Sequence, residues 1–514
     1  MINNYQPIIG LEIHIELNTK SKIFCSCPNI SETSTPNINI CPICLGHPGT
    51  LPLINQEALK KVIKTGLALN CQILSYSKFD RKNYFYPDLP KGYQISQYEA
   101  PLTQKGYLII PLEEDKEENK EENKKSKEKK IRIRKIHLEE DTAKLIHPDK
   151  VNYSLIDFNR AGIPLMELVT EPDLNSAKEA QKFAEELHLI LRYLNISNAD
   201  MEKGEFRVEA NISLLDKRLD KSSKNLGTKV EIKNLNSFRA VEKAINYEIK
   251  RQSEILQKGK KIIQETRGWN EKKEITLSQR EKEEAHDYRY FQEPDLPFIH
   301  IEKNFLNEIK SEIPELPLEK RERFKKEYQL NNKEIEIFVQ NKEFSEYFEK
   351  VVSEFLNWIN EIEGKRKIKK EEFFQLAKLA SNYLISDLQR LLKNGFKSEE
   401  NLLITPENFA EFIALLYEGK ISSKIGKIVL GEMFKSGADP EHIIKEKELS
   451  QITNEKEIEE IIKKVISQNP QVIESYKKGK TNALQFLVGK VMAISKGRAN
   501  PQIVNKLLNK LINN

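Results

Sequence analysis

Glu12, His14 and Glu16 alternate with Leu11, Ile13, Ile15 and Leu17 along residues 10–17. The alternation predicts a strand whose apolar side packs on a core. Its other side then carries carboxylate, imidazole and carboxylate in a row, about 7 Å apart at ~3.3 Å per residue. Such a row can help to hold a divalent cation or to move protons. A solvated outer face would alternate in the same way, so one strand decides little.

The pattern recurs, however. Arg207, Glu209, Asn211 and Ser213 alternate with Val208, Ala210, Ile212 and Leu214, and Lys229, Glu231 and Lys233 share one side of their segment. Residues 131–141 read as a strand ending in Glu139, Glu140 and Asp141. If these strands share a sheet, their polar sides form one surface bearing acids and bases together. Acids suit Mg²⁺, and interleaved Lys and Arg suit phosphate oxygens. The expectation is nucleotide or phosphoryl chemistry. Three further segments mix cations with aromatic rings or polar loops: 78–88 with Lys78, Arg81 and Lys82, 157–164 with Arg160, and 287–294 with Arg289. Cations suit phosphates, and rings stack on bases.

No common phosphate loop supplies this site. Gly479-Lys480-Thr481 is the nearest string, but a Walker A motif needs glycine where this chain has Glu474. The chain has no GxSxG elbow either. Catalysis is therefore expected to rest on metal and charge rather than on a covalent side chain.

Cys25-x-Cys27 and Cys41-x-x-Cys44 lie a short loop apart, with Pro28, Pro36, Pro42 and Gly46 supplying turns. Two close pairs in a cytosolic protein read as a tetrahedral Zn²⁺ site, here over segment 25–44. Four thiolates leave no open position, so that metal is expected to be structural. His47 is an alternative ligand, and Cys71 reads as core.

At 514 residues, with 31% charged and 39% hydrophobic residues, the chain fits a soluble multidomain protein. The net charge of +5 is small, so nucleic-acid contact has to come from local patches. No apolar run approaches the ~20 residues of a membrane span, and the N-terminus has no signal-peptide pattern. A cytoplasmic location with no membrane attachment is the expectation.

The spacing predicts helices over 56–70 and about 176–195, and a hairpin of strands 107–112 and 130–138. Residues 113–130 are almost wholly charged, with acids and bases in near balance, and read as a solvated hairpin extension. Residues 216–225 and 356–369 read as further charged insertions. Beyond Pro294 the pattern turns helical. The expected class is α+β: a mixed or antiparallel sheet in a cradle-like catalytic domain over 1–300, a helical domain over 301–404, and a small helical tail over 405–514.

At this point the strings identify a family. Gly-Leu-Glu-Ile-His-Ile-Glu-Leu, Ser-Lys-Phe-Asp-Arg-Lys-Asn-Tyr-Phe-Tyr-Pro-Asp, His-Leu-Glu-Glu-Asp, Phe-Asn-Arg-Ala-Gly-Ile-Pro-Leu, Gln-Glu-Thr-Arg and Asp-Tyr-Arg-Tyr-Phe occur in order. Together they resemble the B subunit of the tRNA-dependent amidotransferase GatCAB, and 422–430 and 480–505 resemble its YqeY-like tail.

The resemblance implies that the chain binds misacylated Glu-tRNA(Gln), Asp-tRNA(Asn) or both. It implies that ATP phosphorylates the side-chain carboxylate, and that ammonia from an amidase A subunit then displaces phosphate. A small C subunit would complete and brace this heterotrimer. On this resemblance, Glu12, His14, Glu140, Glu209 and Glu231 are expected around Mg²⁺, with Glu139 as alternate to Glu140. Glu12, His14, Lys78 and Arg160 are expected in catalysis. Lys78, Arg81, Lys82, Arg160, Lys229 and Lys233 are expected at ATP phosphates or the tRNA acceptor end. Lys490, Lys496 and Arg498 are expected on tRNA. The E subunit of archaeal-type GatDE carries an extra synthetase-like insertion, for which no segment here is long enough. A zinc protein that only binds RNA would gain nothing from acids facing a polyanion.

Overall fold

A computed structural model describes residues 4–30, 35–112, 127–148, 151–218, 226–281, 287–360, 369–392, 402–449, 452, 454–477, 482–495 and 497–513. The chain divides into two compact units, Met1–Leu316 and Pro317–Asn514.

The first unit carries strands β1 (Tyr5–Glu16), β2 (Gln72–Ile73), β3 (Tyr76–Ser77), β4 (Asp80–Asn83), β5 (Tyr93–Ser96), β6 (Thr103–Leu112), β7 (Lys127–Glu140), β8 (Lys144–Ile146) and β9 (Leu155–Asp157). They are followed by β10 (Pro164–Thr170), β11 (Phe206–Asp216), β12 (Val230–Leu235), β13 (Glu265–Asn270), β14 (Ile275–Glu281), β15 (Phe291–Gln292) and β16 (Ile299–His300). Its helices are α1 (Gln56–Ala68), α2 (Ala177–Tyr193), α3 (Phe238–Gln257) and α4 (Lys303–Ser311).

Nine strands form one sheet in the order β14-β13-β12-β11-β1-β10-β7-β6-β2. Neighbours run antiparallel except β12 and β13, which are parallel, so the sheet is mixed. The alternation read in the sequence sets its two faces. Leu11, Ile13, Ile15, Val208, Ala210, Ile212, Ile136 and Leu138 are buried with Phe183, Leu187, Val241 and Ile245 of α2 and α3 in one core. Each such buried aliphatic side chain contributes about 1.5–3 kcal/mol. The helices start where capping residues allow it: Asn55, Ser176 and Ser237 each accept a backbone N–H in the first turn of α1, α2 and α3. The polar face of the sheet is left to the cleft described below.

The unit ends at Leu316 rather than at residue 300. Helix α4 packs on α1: Ile309 is fully buried in the first core, and Lys60 pairs with Glu312 at 2.7 Å.

The expected hairpin is β6–β7, and its pairing runs to Leu112 opposite Lys127. Residues 113–126, most of the charged 113–130 stretch, lie outside the described residues, as do 219–225 and 361–368. Because Leu112 and Lys127 face each other, Asn-Gly in place of 113–126 has the geometry of a two-residue hairpin loop. That shortened chain is expected to keep its melting temperature within a few degrees, since 113–126 contains no apolar residue to bury and loop length alone changes stability little. A large drop on thermal unfolding would show that the stretch is built into the fold.

The second unit is helical: α5 (Pro317–Tyr328), α6 (Asn332–Gln340), α7 (Lys342–Asn360), α8 (Lys370–Asn382), a π-helical turn at Tyr383–Leu388, α9 (Gln389–Leu391), α10 (Pro406–Tyr417), α11 (Ser423–Ser436) and α12 (Pro440–Glu446). It continues through α13 (Glu455–Gln468), α14 (Pro470–Lys477), α15 (Asn482–Ile494) and α16 (Pro501–Asn513). The segment around 404–408 does not separate two packing groups. The Tyr347 hydroxyl donates to the Ile404 carbonyl at 3.1 Å, and Phe409 of α10 packs edge-on against Tyr347 of α7. A separate core forms further on, where Ile458, Ile462, Leu487, Val491 and Leu508 join α13, α15 and α16. Packing therefore changes partners after α12. Among the described residues no helix is long and apolar enough to cross a membrane.

Candidate active site

Register decides which polar side chains meet. His14 of β1 pairs with Glu167 of β10, and Glu167 pairs with His137 of β7. The three therefore form a row across adjacent strands. Glu167 Oε2 lies 3.4 Å from His14 Nε2 and 3.5 Å from His137 Nε2, so one carboxylate oxygen bridges two imidazoles. Glu139, two residues along β7, lies 3.5 Å from His137 and 3.9 Å from His14, and accepts the Ser96 hydroxyl at 3.0 Å. On the other side of β1, Glu12 pairs with Glu209, and Asn211 pairs with Glu231. Lys233 lies 3.0 Å from Glu209 and 3.4 Å from Glu231.

Most of these groups line a cleft of about 500 Å³ on the polar face of the sheet; His14, Glu209 and Asn211 stand beside it. Glu12, Lys82, Lys135, His137, Glu139, Glu167, Lys229, Glu231 and Lys233 contribute the charged and titratable side chains. Gln97, Thr266 and Gln279 add neutral polar groups, and Tyr98, Tyr288 and Tyr290 add rings. Tyr98 and Tyr290 stack at 4.1 Å between centroids, and Lys82 lies 5.0 Å over the Tyr288 ring.

Burial and crowding set the charges. Burial raises the Glu12 carboxyl above its ordinary range, and the neighbouring Glu167 charge raises it further. Burial alone would lower His14, but the hydrogen bond and charge of Glu167 lift the imidazole to about 9. Burial also works against ionised Glu139 and Glu167, yet the His137 and His14 imidazoles beside them together outweigh it and hold both low, helped at Glu167 by Lys135. Lys233 is disfavoured by burial but held charged by Glu209 and Glu231.

Two groups have donor atoms within 4.8 Å of one another, Glu12–His14–Glu167 and His137–Glu139–Glu167, and they share Glu167. His137 Nδ1 is buried with no hydrogen-bond partner. A donor set of carboxylates with imidazole and no thiolate fits a hard divalent ion.

A second metal-competent set lies apart from the cleft. The sulfurs of Cys25, Cys27, Cys41 and Cys44 lie within 4.8 Å of one another, so this cluster can hold a metal ion. The Cys25–Cys44 hydrogen bond and the Cys41 N–H lower the Cys44 thiol to about 5. The fully buried Lys22 reaches its Nζ to 3.9 Å from Cys44 Sγ. The knuckle is stitched to the loop before β10. Asn159 Oδ1 accepts the Ile38 and Asn39 N–H groups at 2.9 and 2.8 Å, and Asn37 Oδ1 accepts the Phe158 N–H at 2.7 Å. Gly162, at φ +82°, brings that loop against Cys44.

The chain matches two family profiles, the GatB/GatE catalytic domain over residues 7–307 and the GatB domain over 367–512. It is 45% identical to the B subunit of the aspartyl/glutamyl-tRNA(Asn/Gln) amidotransferase of Thermotoga maritima, over 99% of both chains. It is 48% identical to that of Caldicellulosiruptor saccharolyticus over 98% of both, and 46% identical to that of Thermoanaerobacter pseudethanolicus over 98% of both. The chain belongs to this GatB family.

The fold gathers most of the expected site residues. Glu12, Glu139, Glu231, Lys82, Lys229 and Lys233 line the cleft, His14 joins its metal-competent group, and Glu209 stands opposite Glu12. Four expected residues lie elsewhere. Glu140 points away from Glu139 because strand neighbours face opposite sides. Its carboxylate accepts the Ile95 N–H at 2.9 Å and pairs with Lys91 at 2.6 Å. Lys78 pairs with Glu99 and Asp80. Arg81 is held by Glu293 through two hydrogen bonds of 2.7 Å and pins β4 to the segment after β15. Arg160 donates to the Thr142 carbonyl at 3.0 Å and lies 3.4 Å from Asp141.

In the tail, Lys490 is exposed over Phe486, and Arg498 donates to the Glu448 carbonyl at 3.2 Å. Lys496 lies outside the described residues. Sequence reasoning missed Glu167, His137 and Lys135. Glu167 did leave a signal, as the one charged residue in the apolar run Pro164–Thr170.

Proposed function

We propose that this chain is the member of a three-part amidotransferase that activates the side-chain carboxylate of misacylated Glu-tRNA(Gln), Asp-tRNA(Asn) or both. The observation that carries the reading is the cleft in which Glu167 bridges His14 and His137 beside Lys82, in a chain of the GatB family. ATP is the phosphoryl donor. Lys82, Lys229 and Lys233 bind its phosphates, and the tyrosines offer faces to bases.

The tRNA-borne carboxylate attacks the γ-phosphorus, ADP leaves, and a mixed acyl phosphate results. Ammonia then attacks the acyl carbon, inorganic phosphate departs, and the amide forms. A carboxylate resists ammonia, whereas the acyl phosphate has a good leaving group. Glu12, His14, Glu139 and Glu167 would hold Mg²⁺, which offsets charge on transferring phosphoryl oxygens. Glu209 and Glu231 orient Lys233 toward the same phosphates. The four cysteines hold structural Zn²⁺. An amidase A subunit supplies ammonia, the complex is braced by a small C subunit, and the assembly works in the cytoplasm.

The test is the purified heterotrimer given each misacylated tRNA, MgATP and glutamine. Amidated tRNA with stoichiometric ADP supports the reading. Amide formation without nucleotide, or none with either tRNA, refutes it.

We further infer that the α13–α16 bundle contributes tRNA affinity, through Lys490 and neighbouring lysines. Because α10–α12 belong to the packing of α7 and α8, a chain ending at Leu449 keeps that packing, whereas one ending at Thr405 removes it. The chain ending at Leu449 is expected to bind tRNA more weakly and with a shallower salt dependence. Equal affinity and slope, measured by filter binding across salt concentrations, would place recognition within residues 1–449 instead.

A further inference from the structure

Gln279 sits where β14 falls out of register with β13. Thr266 pairs with Arg280 while Arg267 pairs with Ser278, so Gln279 is one residue more than β13 can match. A bulge of this kind leaves its extra residue unpaired and re-aims the side chain. Here the re-aimed side chain joins the cleft lining beside Thr266, Lys229 and Lys233.

Gly268 makes the room. A Cβ at that position would lie 2.8 Å from Gln279 Cδ and nearer still to Nε2. The hairpin is held from its other face by a buried network. Glu248 of α3, fully buried, accepts Arg251 at 2.6 Å and the Thr276 hydroxyl at 3.2 Å, and Arg267 donates to Thr276 at 2.8 Å. On the cleft side, the Thr266 hydroxyl donates to Glu231 at 2.8 Å. A bulge, a notch without a side chain and a rigid brace therefore place one carboxamide in the cleft.

We propose that Gln279 contacts the bound nucleotide, its carboxamide donating to the polyphosphate that Lys229 and Lys233 attract, and that Gly268 is required to admit it. The inference rests on the nucleotide reading given above. Lys233 is already shared with Glu209 and Glu231, so a neutral donor adds a directed contact without adding charge to the cluster.

The test uses the intact heterotrimer with Mg²⁺ and the β,γ-imido analogue of ATP, titrated calorimetrically. Gln279→Ala is expected to weaken binding roughly tenfold and to raise KM for ATP, leaving KM for misacylated tRNA unchanged. Gly268→Ala is expected to do the same without lowering the melting temperature, because the new methyl first meets the ends of two side chains, Gln279 and, at 3.1 Å, Asn234 Nδ2, rather than backbone. The double variant is expected to be no worse than Gln279→Ala, since both changes remove one contact. If the wild type binds the analogue and Gln279→Ala binds it equally, the inference fails alone. Multiplying effects in the double variant, or a change confined to KM for tRNA, also overturn it. If the wild-type complex does not bind the analogue, the nucleotide reading falls and takes this inference with it.

Discussion

Glu167→Gln is expected to slow ATP-dependent amidation by roughly 10²–10³-fold, with the fold intact, because charge is lost while shape is kept. Glu167 is the one group common to both metal-competent sets of the cleft, and a single oxygen of it lies within 3.5 Å of both imidazoles. Its loss should also be visible without catalysis. His14 is lifted to about 9 chiefly because the hydrogen bond and charge of Glu167 overcome burial. A metal needs the neutral imidazole, so at pH 7 binding must displace a proton from His14. In the wild type, Mn²⁺ affinity should therefore climb as pH rises toward 9. In Glu167→Gln the strongest support of the charged imidazole is lost, with Glu209 and Glu139 remaining, and the His14 value falls. Mn²⁺ binding should then be weaker at each pH, with its climb displaced to lower pH. Titration of Mn²⁺ by electron paramagnetic resonance across pH checks both. Unchanged affinity and an unchanged pH profile would remove Glu167 from the site.

Cys41→Ser is expected to cost ~3 kcal/mol or more and to lower the melting temperature by roughly 10 °C, with loss of bound zinc. A metal at the four cysteines would be coupled to local folding through specific contacts. Asn159, fully buried, accepts the backbone of Ile38 and Asn39 between the two cysteine pairs, and its amide donates to the Thr35 carbonyl at 3.0 Å. Opening the knuckle frees the loop that carries Arg160 and Gly162, so amidation should decline with stability rather than ahead of it. Metal analysis and calorimetry on the same sample decide the matter. A folded variant that loses activity while keeping its zinc and its melting temperature would make the metal catalytic instead of structural.

Much of this arrangement was legible beforehand because it depends on periodicity. The two-residue alternation of 10–17 and 207–214 assigned faces to β1 and β11 correctly, since a strand admits only two. The cysteine spacing marked the knuckle, because a small metal requires ligands close in space and short turns bring them close in sequence. Helical spacing marked α2 almost to its ends, with Ser176 as its cap. The ordered motifs carried the family.

Partners across strands were not legible, because register is a property of pairs. Nothing in Pro164–Thr170 says that Glu167 will stand between His14 and His137; that follows from β10 lying between β1 and β7. The choice between Glu139 and Glu140 needed the side of β7 that faces the cleft, and β5 claims Glu140 through the Ile95 N–H. Lys78, Arg81 and Arg160 have the right chemistry for phosphate, but nearby carboxylates or carbonyls already hold them. Composition does not report such pairing. The seam after α12 was hidden for a similar reason: Thr405-Pro406 opens a helix in sequence, yet its Phe409 buries against Tyr347 of α7 and its Phe412 against Tyr383. Local sequence thus specified strands, caps, ligand spacing and family. Only the tertiary structure selected which charges meet, because long-range pairing brings residues more than a hundred positions apart within hydrogen-bonding reach.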